Sequence, residues 1–378
     1  MISLPEAEQR LVERCEQWVT QRVEPEAGRW ERERAFPSDA LIAAAELGLT
    51  RLQVPPQLGG LGTSFACKAS IAEVLARGDF GLAMSVVNSQ NVAEELARWA
   101  PEPVAKRWVS AIGTGACVGC TALTEPGAGS DFAAIRTTAR HTAEGWRLDG
   151  RKAWITNARV ADVVIVFAQT QPGAGAAGIA GFVVDASRAG FARDDEPSLA
   201  APSSMGTAGF RLDGYVARDE ELLHAPGTGF KRALQSINGA RVYVAAMCCG
   251  MVTACLTRAA EHGTHRQTFG KPLREHQAWR FLLAEAAIEL QAARLMVADA
   301  ACAIDAGADV QVRAAKAKVF ATRMAERHVR SLGHALGAEG LRERHPFVRH
   351  LVGAQVATLV DGATEMLLER IARRFEDP

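Results

Sequence analysis

The sequence carries no excess of either charge, because 43 Lys and Arg residues balance 43 Asp and Glu residues. This balance removes the global electrostatic case for a nucleic acid or an anionic membrane as a partner. The 378 residues are 48% apolar and 23% charged, which indicates a globular protein rather than a fibrous or disordered one. Since one hydrophobic core does not grow to this length, we expect two or three domains.

The sequence also lacks the signals of a targeting segment and of a membrane span. The first residues lack the basic start and the apolar run of a signal peptide, so we expect a cytoplasmic protein. The longest uncharged stretch lies between Arg241 and Arg258 and falls short of the roughly 18 apolar residues of a membrane span. We therefore predict a buried core helix at this position and no membrane as partner.

The residues that bind metals are not arranged in a metal-binding pattern. Among eight cysteines, Cys117 and Cys120 form one C-x-x-C, but no second pair or nearby His pair completes a zinc set. His262 and His265 are spaced to share a helix face, without a third ligand pattern beside them. We predict no metal, with the cysteines as packed thiols in a strand and the histidines on a solvated helix face.

Two kinds of periodicity divide the chain into three parts. Residues 1–115 are predicted to form an N-terminal helical domain, because apolar residues such as Leu11, Cys15 and Val19 recur every three or four positions. Residues 116–226 contain short β-type runs split by Gly and Asp, which suggest a small barrel or sandwich. The runs lie at 146–150, 163–167 and 181–184, and residues 173–178 are interpreted as a flexible hairpin tip rather than a phosphate loop.

Helical periodicity returns in residues 227–378, with breaks at 270–272, at Gly307 and at 333–346. Four long helices fit between these breaks, which is enough for a bundle. The predicted class is therefore α+β and mostly helical, with an N-terminal helical domain, a central β-domain and a C-terminal four-helix bundle.

The most informative segment is residues 123–131, followed by residues 154–157. Its proline and small residues leave backbone N–H groups open, and Thr124 and Ser130 add hydroxyls that could bind a planar polar ring. A flavin or nucleotide would fit such a loop. From the residues alone, a tight turn of the β-domain remains an equal alternative.

The sequence T-E-P-G-A-G-S-D at 124–131, followed by W-I-T-N at 154–157, resembles the signature of the acyl-CoA dehydrogenase family. Residues 266–271 and 275–277 resemble the family's R-x-T-F-G-K and H-Q segment. The glycine-rich turn at 58–62 and the segment D-G-A-T-E at 361–365 also fall at the expected places. The likeness therefore covers almost the whole chain.

This resemblance implies an FAD-dependent enzyme that desaturates an acyl thioester, carried on CoA or on an acyl carrier protein. It implies that FAD lies between the last two domains and that a neighbouring subunit supplies Arg266 and Phe269, hence a homodimer or homotetramer. An electron-transfer flavoprotein would be the electron acceptor. The implied FAD contacts are Thr121, Leu123, Thr124, Gly129, Ser130, Trp154, Ile155, Thr156, Arg266, Thr268, Phe269, His276, Gln277, His334, Gly337, Thr364 and Glu365. The implied substrate contacts are Ser130, Asn238, Arg241 and Gly362.

Such a reaction needs a carboxylate to remove an acidic α-proton. By resemblance, the base is a Glu just before Gly-Thr near the C-terminus, or a Glu just before an Arg in the first bundle helix. Asp361 and Ala240 stand at these positions, so Asp361 is the predicted base. Asp is one methylene shorter than Glu, and a misplacement of about 1 Å can cost roughly a hundredfold in rate, so the substrate or the backbone must lie differently. The alternative is that Asp361 is an ordinary helix N-cap, and both roles could coexist.

The chain departs from the family at further positions, because His334, Val352 and Ala363 replace residues that the family keeps near FAD and the base. Arg241 is expected to help hold the Asp361 carboxylate ionised, with an ion pair inside the bundle as the alternative. Two other functions stay open. One is a flavin oxidase, or a desulfinase- or lyase-like relative, that uses the same pocket, and the other is a catalytically silent flavoprotein.

Overall fold

The computed structural model describes residues 4–194 and 199–375. The chain forms two compact units. A helical unit comprises Met1–Ala35, Ser64–Ala83 and Ile237–Pro378, and a sheet unit comprises Phe36–Thr63 and Met84–Ser236. The first helices are therefore divided between the two units, and the predicted boundaries near residues 115 and 226 stay a prediction.

The α-helices of the described residues confirm a mostly helical protein of the expected order, with helices first, strands in the middle and helices again. In chain order they are α1 Glu6–Trp18, α2 Glu24–Arg32, α3 Ser38–Glu46, α4 Phe65–Gly78, α5 Phe80–Trp99, α6 Glu102–Gly113, α7 Gly229–His265, α8 Gln277–Asp305, α9 Gln311–Ala335, α10 Phe347–Leu359 and α11 Thr364–Ala372. The apolar pattern that predicts the first helix is buried as expected, since Leu11, Cys15 and Val19 all lie in the core.

The strands of the sheet unit form one mixed sheet of eight strands. They are β1 Gly119–Ala122, β2 Thr138–Thr142, β3 Gly145–Ile155, β4 Val163–Gln169, β5 Ile179–Asp185, β6 Phe191–Arg193, β7 Ala208–Ala217 and β8 Leu222–His224. Their order is β6-β7-β3-β2-β4-β5-β8, and β1 pairs in parallel with β4. The three β-type runs of the sequence lie in β3, β4 and β5, and the glycine-rich segment connects the antiparallel pair β4 and β5.

Both faces of the sheet are buried at β4. Val163, Ile165 and Phe167 belong to one apolar cluster, together with side chains of α5 and α6. The alternate residues Val164 and Val166 belong to a second cluster. Because successive side chains of a strand point to opposite faces, a strand that is covered on both sides reads as a continuous apolar run, as β4 does.

Helix α7 is the core helix that the uncharged stretch predicts, and every residue from Val242 to Met251 is buried. The prediction that this stretch is too short for a membrane span is wrong, however. The helix has 37 residues and contains a window long and apolar enough to cross a membrane by length and composition, of which 78% is buried inside the protein. Gly250 permits the close approach of α4, because a Cβ there would lie 2.1 Å from the carbonyl oxygen of Glu73.

Helices fill the four segments expected after residue 227, and the last of these segments is broken. Helices α7, α8 and α9 have 37, 29 and 25 residues, whereas the fourth is divided into α10 and α11, which are bent by 44° at their junction. The break occurs because Asp361 and Gly362 have φ angles of 56° and 102°, which a right-handed helix does not accommodate. This break is the local feature that positions the predicted base.

Candidate active site

The loop that carries the 124–131 signature is held by a buried ion pair. Lys152 on β3, with 0% of its side chain exposed, donates hydrogen bonds from Nζ to Glu125 Oε1 at 2.8 Å and to the Leu123 carbonyl at 2.9 Å. The Glu125 carboxylate also accepts from the backbone N–H groups of Arg136 at 2.7 Å and Thr137 at 3.0 Å. Every oxygen of this carboxylate therefore has a donor. Neither Glu125 nor Lys152 was assigned a role from the sequence.

The ionisation of the pair follows from its surroundings. Burial lowers the pKa of Lys152 to about 8, although Glu125 acts in the opposite direction. For Glu125, burial alone would raise the pKa, but Lys152 and the hydrogen bonds from Thr137 and Arg136 together lower it. At neutral pH both groups are charged, and the loop is fixed to β3 by an ion pair that water does not screen.

The outer part of this loop has fewer free backbone N–H groups than the sequence predicts. Glu125 and Ala128 exchange backbone hydrogen bonds at 3.0 and 3.1 Å, so these two N–H groups are already used. Gly127 and Gly129 face open space, since a Cβ at either position would meet no atom within 4 Å. The neighbouring Ser130 is exposed.

The segment 154–157 lies beside this loop, because the backbone N–H of Ala153 donates to the Thr124 carbonyl at 3.1 Å. Trp154 has a φ of 57° and exposes 51% of its side chain. Asn157 fixes the segment from within, since its Nδ2 donates to the carbonyl oxygens of Ser85 and Gly119, each at 3.0 Å. The two sequence motifs therefore form one surface with an exposed, anchored aromatic ring and an open glycine loop, which fits a planar ring such as that of FAD.

The other predicted FAD contacts lie on three separate segments of the helical unit. One is a hairpin of β9 Gln267–Thr268 and β10 Lys271–Pro272, at whose turn Phe269 exposes 98% of its side chain. The predicted residues on this segment are Arg266, Thr268, Phe269, His276 and Gln277. His334 lies in the last turn of α9, Gly337 begins the short turn of 3-10 helix that follows it, and Thr364 and Glu365 begin α11.

Asp361 lies in the break between α10 and α11. The residue that caps α11 is Ala363, without a hydrogen bond from a side chain. The N-cap interpretation of Asp361 is therefore wrong, because Asp361 stands two positions earlier and adopts the left-handed backbone conformation. Asp is one of the few residues besides Gly that adopt this conformation readily.

Arg241 contacts the backbone of the predicted base, and two other predicted substrate contacts, Asn238 and Gly362, lie beside Arg241. Arg241 on α7, 6% exposed, donates from Nε to the Asp361 carbonyl at 3.0 Å and from Nη1 to Asn238 Oδ1 at 2.7 Å. A Cβ at Gly362 would lie 3.4 Å from Arg241 Nη2. The alternative that Arg241 only forms an ion pair with another side chain of the bundle is therefore wrong, because it binds a backbone carbonyl and an amide. The fourth predicted contact, Ser130, lies in the sheet unit.

Lys318 on α9 joins this cluster and was missed in the sequence. Its side chain is 1% exposed, and its Nζ donates to the Val360 carbonyl and to the Gly362 carbonyl, the latter at 2.6 Å. Burial lowers the pKa of Lys318 to about 8, against the opposing effect of Asp361. A lysine two positions from the exposed Lys316 gives no sign of burial in the sequence itself.

The charge balance at Asp361 differs from the expectation. Burial raises the pKa of the Asp361 carboxyl, and Lys318 and then Arg241 oppose that rise without cancelling it. Arg241 thus favours the ionised form as predicted, but it does not dominate. Burial also lowers the pKa of Arg241, to about 10. A carboxylate with a raised pKa binds a proton more tightly than an exposed Asp does.

The cysteines and histidines singled out in the sequence do not form a metal site among the described residues. Within residues 4–194 and 199–375, no group of three or more His, Cys, Asp or Glu side chains could hold a metal ion. Cys120 is buried in β1, as a packed thiol should be, whereas Cys117 precedes the strand and is partly exposed. His265 is exposed, as predicted for a solvated helix face, and His262 is partly exposed, with its ring 6.3 Å from that of Trp279.

Comparison with known proteins agrees with this fold and this surface. Family models described as the N-terminal, middle and C-terminal domains of acyl-CoA dehydrogenase match residues 5–116, 120–214 and 227–376. The fold and the flavin surface define an FAD-dependent oxidoreductase that acts on CH–CH groups. The chain belongs to the acyl-CoA dehydrogenase family. The resemblance, the fold class, the enzyme class and the cofactor predicted from the sequence are thereby confirmed.

The most similar proteins include curated relatives and solved structures. The short-chain specific acyl-CoA dehydrogenase of Bos taurus mitochondria is 32% identical over 367 residues, which cover 97% of this chain and 89% of that protein. The structure of butyryl-CoA dehydrogenase from Megasphaera elsdenii matches with a TM-score of 0.95 at 27% identity and covers 100% of both chains. A glutaryl-CoA dehydrogenase from Mycobacterium smegmatis, solved in complex with FADH2, has a TM-score of 0.93 at 26% identity and covers 99% of this chain and 96% of that one.

Proposed function

We propose that this protein forms the Cα–Cβ double bond of an acyl thioester, with Asp361 as the base that takes the α-proton. The observation that carries this proposal is the placement of Asp361, which lies partly exposed in the break between α10 and α11 with its backbone held by the buried cations Lys318 and Arg241. Carboxyl groups whose pKa is shifted by burial and by specific charged partners occur preferentially at functional sites.

The chemistry requires a proton acceptor of suitable strength. The thioester carbonyl makes the α-proton acidic, and a carboxylate within reach removes it. The raised pKa of Asp361 makes it a stronger proton acceptor than an exposed Asp. FAD, when bound, supplies the acceptor for the β-hydrogen, which leaves with its electron pair as a hydride. The proton thus ends on the Asp361 carboxylate, and the electron pair left on Cα forms the new double bond.

The substitution Asp361→Asn tests the assignment of the base, since it keeps the shape and the backbone preference but removes the proton acceptor. Butyryl-CoA and glutaryl-CoA are the probes, after the names of the relatives. The wild-type holoenzyme should lose its flavin absorbance when a suitable probe is added without oxygen, and Asp361→Asn should bind FAD yet keep its absorbance. Asp213→Asn, at an exposed position of the sheet unit, is the matched control and should behave as the wild type. Bleaching by Asp361→Asn at the wild-type rate would refute the base.

The carrier of the acyl group is proposed to be CoA, because the relatives are named for CoA thioesters. The second candidate is an acyl carrier protein, which presents the same pantetheine arm. Butyryl-CoA and the same acyl group on a carrier protein, compared at equal concentrations, distinguish them. A carrier-protein substrate that reacts much faster than its CoA ester would overturn the choice of CoA.

An oxidase, or a desulfinase- or lyase-like reaction, is the second candidate function, and the shorter acid at Asp361 favours it. We propose instead that electrons pass to an electron-transfer flavoprotein, as the family resemblance implies. Oxygen uptake that equals turnover would support the oxidase, and turnover that depends on an added electron-transfer flavoprotein would exclude it. A silent flavoprotein would leave the flavin unbleached with every thioester, and the raised pKa of the Asp361 carboxyl argues against it.

We also propose a homodimer or homotetramer in the cytoplasm. Phe269 is almost fully exposed at the β9–β10 turn, and Phe281, Ile288 and Leu295 lie exposed seven residues apart along one face of α8. Exposed apolar surface of this kind is typical of a contact with another chain. Sedimentation equilibrium of the holoenzyme and of Ile288→Asp tests this, because a monomeric wild type would refute it.

A further inference from the structure

Three consecutive carbonyl groups in the α10–α11 break are bound by two buried cations. Lys318 Nζ donates to the carbonyls of Val360 and Gly362, and Arg241 Nε donates to the carbonyl between them, that of Asp361. The last carbonyls of a helix lack partners within the helix and are ordinarily satisfied by a glycine cap or by water. Two buried charges are a costly way to end a helix, since each has lost its hydration.

We propose that Lys318 and Arg241 form a carbonyl clamp that positions Asp361 and controls its ionisation, with Lys318 as a positioning residue for the reaction. This inference rests on the proposed function of Asp361 as the base. Lys318 acts through Asp361 and not on the substrate, because its hydrogen bonds are with the main chain on either side of that residue.

The clamp has a geometric role. A non-glycine residue in the left-handed region carries a cost in free energy and persists only where its surroundings over-determine it. The donors on α7 and α9 fix the carbonyls before, at and after Asp361, so they determine the direction in which its side chain leaves the backbone. The position of the carboxylate is therefore set by the backbone as well as by the length of the side chain.

The clamp also has an electrostatic role. The charged and titratable groups around Asp361 are Lys318 from α9 and Arg241 from α7, while Arg370 on α11 acts on Arg241 and Cys248 on α7 acts on Lys318. A positive charge at Lys318 favours the ionised carboxylate, so its removal should shift the titration of Asp361 to higher pH. A nearby opposite charge moves a pKa by roughly 1–3, so a change of about one pH unit should be measurable.

The experiment compares Lys318→Met and Lys318→Arg with the wild-type holoenzyme. Methionine keeps an unbranched chain without charge or donors, and arginine keeps both. The readout is the infrared band of the protonated Asp361 carboxyl, identified by its absence in Asp361→Asn and followed against pH. We expect the band in Lys318→Met to persist to a pH about one unit higher, while Lys318→Arg stays near the wild type. Lys316→Met, at an exposed position on the same helix, is the control and should leave the titration unchanged.

Kinetics provide a second readout. On the acid side, kcat/KM of Lys318→Met for the probe that bleaches the wild-type flavin should be about tenfold lower at a given pH, because one pH unit is a factor of ten. An unchanged Asp361 titration in Lys318→Met, or an equal change in Lys318→Arg, would refute the clamp. If Lys318→Met does not fold, Arg241→Gln on the other helix supplies the same infrared measurement.

The two proposals can fail separately. Turnover by Asp361→Asn would refute the base, while the infrared titration would still test how Lys318 holds that carboxyl. Loss of turnover in Asp361→Asn together with an unmoved titration in Lys318→Met would refute the clamp and leave the base.

Discussion

Replacing Lys152 with methionine should release the loop that carries the flavin signature. The side chain of Lys152 is fully buried, and it supplies Glu125 with one of three hydrogen bonds and with a positive charge as its ion-pair partner. Methionine fills nearly the same space, so the loss is electrostatic and not a cavity. Removing one partner of a buried ion pair costs about 3–5 kcal/mol, a large fraction of the 5–15 kcal/mol that stabilises a typical domain.

The assay is urea unfolding of the holoenzyme, followed by circular dichroism and by the fluorescence of released FAD. We expect Lys152→Met to release FAD at a lower urea concentration, because the loop is no longer fixed to β3. The double variant Lys152→Met with Glu125→Gln should recover part of the loss, since no uncompensated charge remains. Arg147→Met on the same strand breaks an exposed pair with Asp149 and should cost less than about 1 kcal/mol. An unchanged free energy of unfolding and unchanged FAD release in Lys152→Met would refute this account of the loop.

Two further predictions follow from other parts of the molecule. The pKa of Asp361 is raised above its ordinary value, and the proposed base acts only when it is ionised. The value of kcat/KM should therefore fall as the pH is lowered through that raised pKa. A pH profile that stays flat down to about pH 4 would contradict the assignment of Asp361 as the base. Gly250→Ala should lower the free energy of unfolding by about 1–3 kcal/mol, because the new Cβ would lie 2.1 Å from the Glu73 carbonyl, and urea unfolding at the wild-type midpoint would show that α4 and α7 can separate without cost.

The order of the elements could be predicted from the sequence because it depends on local periodicity. The β-type runs at 163–167 and 181–184 lie in β4 and β5, and the uncharged run after Arg241 is the buried part of α7. The division into units could not be predicted in this way. It depends on which helices pack together, and α5 begins in the helical unit and continues in the sheet unit.

The site was only partly predictable for the same reason. Asp361 followed from its place in a known pattern, but its left-handed backbone did not, since apolar residues on both sides of the Asp-Gly pair continue a helical pattern. Lys318 looks like any solvated helix residue in the sequence. Its burial results from the packing of α9 against α10 and α11, which are distant in the chain.

The shorter acid at Asp361 agrees with the backbone that carries it. Asp adopts the left-handed conformation more readily than most residues with a side chain, because its short polar group can bond locally. Hydrogen-bond donors from α7 and α9 hold the backbone of Asp361 in this conformation. The backbone therefore sets the direction of the side chain, and the longer, more flexible side chain of a Glu is not needed to place the carboxylate. A longer side chain would add a rotatable bond and extend the carboxylate beyond the point that the backbone sets. The identity of the proposed base and the geometry of the break are therefore one feature, and a change to either should require a change to the other.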